Sequence, residues 1–397
     1  MLNLSPRSVT EHWQLETFCL FIKNMKKTSA NSAALYIHYP WCLKKCPYCD
    51  FNSHQNRKEN DQEAFLDALV EDFFEQGLQE QEFASIFIGG GTPSLFPPKL
   101  ISKLLAKVKT NADTETTIEV NPGSTEHFSF ADLRKAGINR VSIGAQSFDD
   151  EMLKTIGRVH TGREIIKCYQ QARASRIKNI NLDLMWGLPG QTTSQAIQDL
   201  ELAVELKPDH ISWYQLTIEP NTIFASSKPR LPDEHTQCSI ETSGCLVLKK
   251  AGYERYEVSA FAKAGKACRH NQNYWNFGDY FGVGPGAHGK LTKFEESGVR
   301  IFRTKKLKQP ASYINNPTHT FMRELSNSEY VPEFLMNALR LKDGVAWSTF
   351  EEKTGLFFED IQGEWKKLTE KGLVEPGRCK TTELGYRYLD SILQTFV

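Results

Sequence analysis

Short runs rich in Ile, Val, Leu and Tyr recur along the first half of the chain, at Leu35–Tyr39, Ser85–Ile88, Thr116–Val120, Arg140–Ile143, Asn179–Leu184 and Ile211–Ile218. Their starts lie roughly 25 to 50 residues apart, and a strand–helix–strand unit takes roughly 30, so the spacing predicts βα repeats around a parallel sheet. The stretches between the runs carry helical periodicity. In Asp61–Gln76, for example, Phe65, Leu66, Leu69, Val70, Phe73 and Phe74 share one face. Six such units predict an α/β fold, an incomplete (β/α)6 barrel.

The pattern changes near residue 331. Phe334–Leu341, Ser348–Thr354 and Phe358–Lys371 read as helices, Gly372–Val374 and Cys379–Thr381 as a small hairpin, and Leu384–Thr395 as a last helix. This predicts three parts. Residues 1–33 form an extension without pattern, with Met25 as an alternative start. Residues 34–330 hold the barrel and its extension, and 331–397 a small winged-helix-like α+β domain. Acidic and basic residues alternate in that last domain without a basic stripe, which favours packing or partner docking over DNA reading.

Composition changes the picture little. Lys+Arg and Asp+Glu both number 48, which argues against a nucleic-acid partner held mainly through phosphates. No apolar run reaches the 18 or so residues of a membrane span. There are 9 cysteines, an odd number, and Cys19, Cys168, Cys238, Cys245, Cys268 and Cys379 are scattered. That usage predicts a reduced, cytoplasmic protein and no disulfide framework.

The other three cysteines carry chemistry. Cys42, Cys46 and Cys49 follow the first strand as C-x3-C-x2-C, close enough to converge on one metal centre and leave a coordination position open. Soft thiolates select zinc, copper(I) or an iron–sulfur cluster; with zinc, His38 or His54 is the candidate fourth ligand. Polar signals also mark the end of every later strand: Gly89-Gly90-Gly91-Thr92, Glu119 with Asn121-Pro122-Gly123, Gln146-Ser147, Asp183 with Gly187, and Glu219-Pro220. In βα barrels that end carries the active site. Glycines there let backbone N–H groups approach a ligand, Glu119 can accept from hydroxyls, and Arg158 can clamp a carboxylate.

Taken in order, Y-I-H-Y-P-W-C-x3-C-P-Y-C, G-G-G-T-P-S-L, I-E-V-N-P-G, S-I-G-A-Q-S-F, L-D-L-M-W-G-L-P and W-Y-Q-L-T-I-E-P resemble one family from about residue 34 to the C-terminus. It is the radical S-adenosylmethionine (SAM) family of oxygen-independent coproporphyrinogen III oxidases and their haem-chaperone relatives. The resemblance implies a [4Fe-4S] cluster on Cys42, Cys46 and Cys49 with SAM on the fourth iron. It places Tyr36, Gly90, Gly91, Thr92, Glu119, Gln146, Arg158, Asp183 and Thr217 at SAM contacts. The oxidases carry a further cysteine where this chain has Phe51, and the chaperone branch shares the C-D-F-N ending and an H-N-x-x-Y-W motif. Here that motif implies His270 as a haem ligand with Tyr274 and Trp275 against the porphyrin, and Cys268 and His288 are rival ligands. The implied function is a chaperone that carries haem to acceptor proteins, membrane-bound ones among them, and a homodimer is open to it. The alternative is porphyrinogen decarboxylation by the oxidase chemistry.

Overall fold

The structure, a computed structural model, describes residues 33–55, 61–124 and 127–397. The expected extension therefore lies, save for Ala33, outside the described residues. All six predicted strands form: β1 (Ala34–Tyr39), β2 (Ser85–Gly90), β3 (Glu115–Val120), β4 (Arg140–Gln146), β5 (Asn179–Trp186) and β6 (His210–Gln215). They pair in chain order and in parallel, from β1 on β2 to β5 on β6. Strand residues such as Leu35, Ile86, Ile118, Ile143, Leu182 and Ile211 are buried against the helices outside, while the alternate positions, among them Thr117, Ser142, Asn181 and Ser212, face the barrel interior. The predicted helix forms as α1 (Gln62–Glu75), with the Asp61 carboxylate accepting from two first-turn N–H groups.

The sheet extends past the six strands on both sides. After β6, two short strands, β7 (Glu254–Glu257) and β8 (Ala260–Ala262), close one edge antiparallel. On the other side β9 (Tyr280–Val283) pairs parallel to β1, and β10 (His288–Glu295), β11 (Gly298–Lys306) and β12 (Thr320–Glu324) add an antiparallel meander. The barrel thus stays open and continues as a wing of antiparallel sheet.

The C-terminal part has its own core, built around Phe334, Leu335, Phe350, Trp365 and Leu368, with Phe277 and Ile301 from the preceding region packed into it. Its first helix spans Asn327–Ala338, starting earlier than the sequence pattern places it, because Ser326 and Glu329 form a capping box ahead of Pro332. The expected hairpin is reduced to single bridges, Val374 to Thr381 and Val345 to Cys379. The last predicted helix breaks into two short ones, Glu383–Arg387 and Leu389–Leu393.

Candidate metal centre and cofactor pocket

The C-terminal ends of β1 to β6 surround a cavity of about 460 Å³. Cys42, Cys46, Cys49, Gly90, Gly91, Thr92, Glu119, Gln146, Arg158, Asp183 and Thr217 all line it. Residues far apart in sequence are gathered because most sit near a strand's C-terminal end, and Arg158 returns to that end after the helix Asp150–Thr155. Tyr36 does not reach the wall: it points into the barrel below, its hydroxyl 3.0 Å from His38 Nδ1.

The cysteine loop is pinned from several sides. Gly91 N donates to Tyr39 O and Thr92 N to Trp41 O, which fixes the glycine turn against the start of the loop. The approach requires glycine. A Cβ on Gly91 would meet Trp41 O at 2.6 Å, and Gly90, with φ +116°, would press its Cβ on His38. Asn52 Nδ2 donates to Pro285 O and Lys308 O, tying the far end of the loop to the sheet wing. Both ring nitrogens of His38 are engaged, Nε2–H donating to Asn52 O and Nδ1 accepting from the Tyr36 hydroxyl, so His38 has no free nitrogen for zinc. His54 is bonded to Asn52 Oδ1 at 3.3 Å.

The thiols suit a group that supplies its own charge. Burial pushes Cys42 and Cys49 up from the ordinary thiol value, so they ionise only when a cation compensates. Arg158 Nη1 donates to Cys46 Sγ at 3.6 Å and Nη2 to Gly144 O at 3.0 Å, while its buried Nε has no partner among the described residues. A guanidinium so placed ties Cys46 to the β4 end and keeps a donor for an incoming anion. Among the described residues no three His, Cys, Asp or Glu side chains are arranged around a single ion. A four-iron cubane asks for something different, since each thiolate takes its own iron. The donor set therefore fits a [4Fe-4S] group.

The opposite wall is acidic. Glu119 accepts from Gly90 N at 2.9 Å, and burial together with the nearby Asp183 pushes its carboxyl up to about 8. Asp183 is raised too, by burial, although Ser142 and Asn181 donate to it at 2.7 and 2.8 Å. Two buried carboxyls on one wall of the cavity suit a positively charged ligand, and SAM carries a sulfonium and an ammonium. Gln146 has φ +69°, and its Oε1 accepts from Tyr214. Tyr48, Ser142, Met185, Ser212 and Tyr214 also line the cavity. The sequence reading missed all of these; Tyr48 stands inside the C-P-Y-C motif, and the others are interior positions of strands that only alternation would have flagged.

The H-N-x-x-Y-W motif lies elsewhere. Helix Arg269–Trp275 crosses the N-terminal mouth of the barrel, at the opposite end from the cavity. His270 is buried, with Nδ1 3.1 Å from Ser85 Oγ, Nε2 3.0 Å from Tyr274 Oη, and its ring stacked on Phe87. Cys268 is buried against Glu115, at 3.5 Å. Trp275 lies under the Arg340 guanidinium, 4.4 Å from its ring centre. In this arrangement His270 offers haem iron neither an exposed ring nor a free nitrogen, and the structure does not bring it to the cysteines. His288, the rival, is exposed at the start of β10.

Comparison with known proteins agrees with this geometry. The Radical SAM superfamily model matches residues 36–203 and the HemN C-terminal domain model residues 325–387. The chain is thus a radical SAM protein with a HemN-type C-terminal domain, and membership implies SAM and a [4Fe-4S] cluster. It belongs to the HemW family. The heme chaperone HemW of Haemophilus influenzae is 42% identical over 376 residues, covering 92% of this chain and 97% of the relative. That of Escherichia coli is 42% identical over 374 residues, covering 92% and 98%. A zebrafish relative, radical S-adenosyl methionine domain-containing protein 1, mitochondrial, is 34% identical, covering 93% and 87%. Among solved structures, coproporphyrinogen III oxidase (HemN) from Escherichia coli superposes with a TM-score of 0.78 over 95% of this chain and 92% of that one, at 23% identity, a likeness of fold.

Proposed function

We propose that this chain is a haem chaperone that holds a SAM-ligated [4Fe-4S] cluster and passes haem to acceptor proteins. The observation that carries it is the 42% identity, over nearly the whole of both chains, to proteins named as haem chaperones. Phe51 adds to it. Where the oxidases carry a further cysteine, this chain sets an apolar ring, 58% exposed, at the rim of the cavity.

Cys42, Cys46 and Cys49 hold the cluster, which when bound supplies an electron and an open iron for SAM. With their N–H groups taken by Glu119, Tyr39 and Trp41, Gly90, Gly91 and Thr92 present backbone carbonyls and the Thr92 hydroxyl to the SAM amino-acid end, and Glu119 and Asp183 receive its cationic and hydroxyl groups. Arg158 positions the cysteine loop through Cys46. Acceptors, membrane-bound ones among them, would be met by surface docking. Among the described residues no helix is long and apolar enough to cross a membrane.

The test is an anaerobic haem titration of the cluster-loaded protein, followed by incubation with an apo-acceptor haem protein. Saturation near one haem per chain, a shifted Soret band and loss of that band to the acceptor are expected. Protoporphyrinogen formed from coproporphyrinogen III under turnover conditions, without specific haem uptake, would reverse the reading in favour of the oxidase.

A further inference from the structure

If haem is the cargo, its site is open, because His270 is sealed inside the barrel. The sheet wing offers one. His288 on β10 stands directly opposite Lys305 on β11, and Lys305 directly opposite Phe321 on β12. Residues opposite one another in antiparallel strands project from the same face, so imidazole, ammonium and phenyl ring form one row. The next row on that face, Lys290, Arg303 and Arg323, is already occupied. Lys290 is paired with Asp279, Arg303 with Tyr280 and with Glu333 of the C-terminal domain, and Arg323 with Glu329. The other side of the wing is covered as well: Lys306 is paired with Asp72, and Met322 packs on the barrel core. Among the described residues, the first row carries an exposed imidazole and an exposed phenyl ring on either side of Lys305.

Its chemistry is complementary to a porphyrin. His288 is exposed, and among the described residues its ring has no hydrogen-bond partner, unlike His38, His160, His210 and His270. Partial burial and the cations Lys305, Arg303 and Lys308 hold its pKa below the ordinary histidine value, which keeps the imidazole in the neutral, iron-binding form at pH 7. Phe321 is 49% exposed, with His319 edge-on at 4.6 Å, and gives an apolar surface for one porphyrin face. Lys305 and Lys308 have no carboxylate partner among the described residues, and two free ammonium groups match two propionates. The strip also adjoins the cysteine loop, because Asn52 bonds to Pro285 O on one side of it and Lys308 O on the other.

We propose that His288 is the axial ligand to haem iron, on a docking strip completed by Phe321, Lys305 and Lys308. This rests on the chaperone reading. It puts the cargo beside the cluster loop and next to the C-terminal domain, within reach of an acceptor that docks there.

The test is an anaerobic haem titration of the full, cluster-loaded chain, parent against His288→Ala, His319→Ala, His270→Ala and the double variant Lys305→Ala/Lys308→Ala. His288→Ala is expected to weaken binding by at least about tenfold and to move the Soret band, with added imidazole restoring the parent spectrum. The double lysine variant is expected to weaken binding without moving the band. Cluster absorbance and circular dichroism unchanged in His288→Ala exclude a folding defect, since the residue is exposed. An unaltered Soret band and affinity in His288→Ala, or loss that follows His319→Ala or His270→Ala instead, overturns the assignment while leaving the chaperone reading intact. A parent chain with no saturable uptake refutes the chaperone reading, and this site with it.

Discussion

Cys46 accepts from the Arg158 guanidinium, 3.6 Å away. Loss of any of Cys42, Cys46 or Cys49 removes one of only three protein ligands, so each serine variant is expected to lose the cluster, read as iron and acid-labile sulfide content. Haem uptake should survive in part if the cargo binds on the wing, because His288 lies on a separate strand. Glu119 gives a pH signature in the cluster-free, SAM-free protein. Its carboxyl is raised from the ordinary 4.5 to about 8, by burial first and by Asp183 second. Between those values the unfolded chain releases the proton while the folded chain keeps it, so stability falls as pH rises through the window, by up to about 1.4 kcal/mol per pH unit. Glu119→Gln removes this group, and its melting temperature should fall less than the parent's between pH 5 and 8. A parallel pair of profiles would show that Glu119 is not the group responsible.

At the scale of elements, strand ends and one helix decide the site. The β4 run reads as Arg140–Ile143 in sequence but continues to Gln146, through a register shift against β5 that turns Gln146 into the left-handed region. That irregularity delivers its side chain to the cavity, and hydrophobic alternation gives no sign of it. The turn after β2 has no room: Gly91→Ala drives a Cβ to 2.6 Å from a backbone oxygen and is expected to cost about 1–3 kcal/mol, read by thermal unfolding together with impaired cluster loading. Helix Arg269–Trp275 closes the barrel floor through His270. Truncating that ring leaves a cavity against Phe87 and strips partners from Ser85 and Tyr274, so His270→Ala is expected to lower stability by about 2–4 kcal/mol. Thermal melts measure that cost. The haem titration separates it from a ligand role, because a structural plug leaves the Soret band where it was.

For the whole molecule, two cores are joined through the wing of sheet. Arg303 of β11 bridges to Glu333, and Phe277 packs on Phe334 at 5.3 Å, so the C-terminal domain closes the lower part of the face whose upper row carries His288. Phe334→Ala empties the centre of the second core and should destabilise it by about 3–5 kcal/mol. The cluster site draws on the other core. Calorimetry is expected to show an early transition for the variant while cluster absorbance persists; simultaneous loss of both would mean that the molecule unfolds as one unit.

The sequence by itself determined the barrel and the cysteine loop, because both rest on local rules. Period, apolar run and turn chemistry place six strands, and C-x3-C-x2-C brings three thiols together over one short loop. The glycines, Glu119, Gln146 and Asp183 were marked as polar positions toward strand ends, which parallel strands put on one face, whereas Arg158, beyond the helix Asp150–Thr155, came from the family resemblance alone. Tertiary structure alone decided the fate of the histidines. Read linearly, the motif favours His270 and leaves His288 as a rival. Which one is sealed with both nitrogens bonded, and which stands open in a row with Lys305 and Phe321, depends on a helix crossing the barrel floor and on the register of three antiparallel strands. Those are contacts between segments far apart in the chain, and no local pattern encodes them.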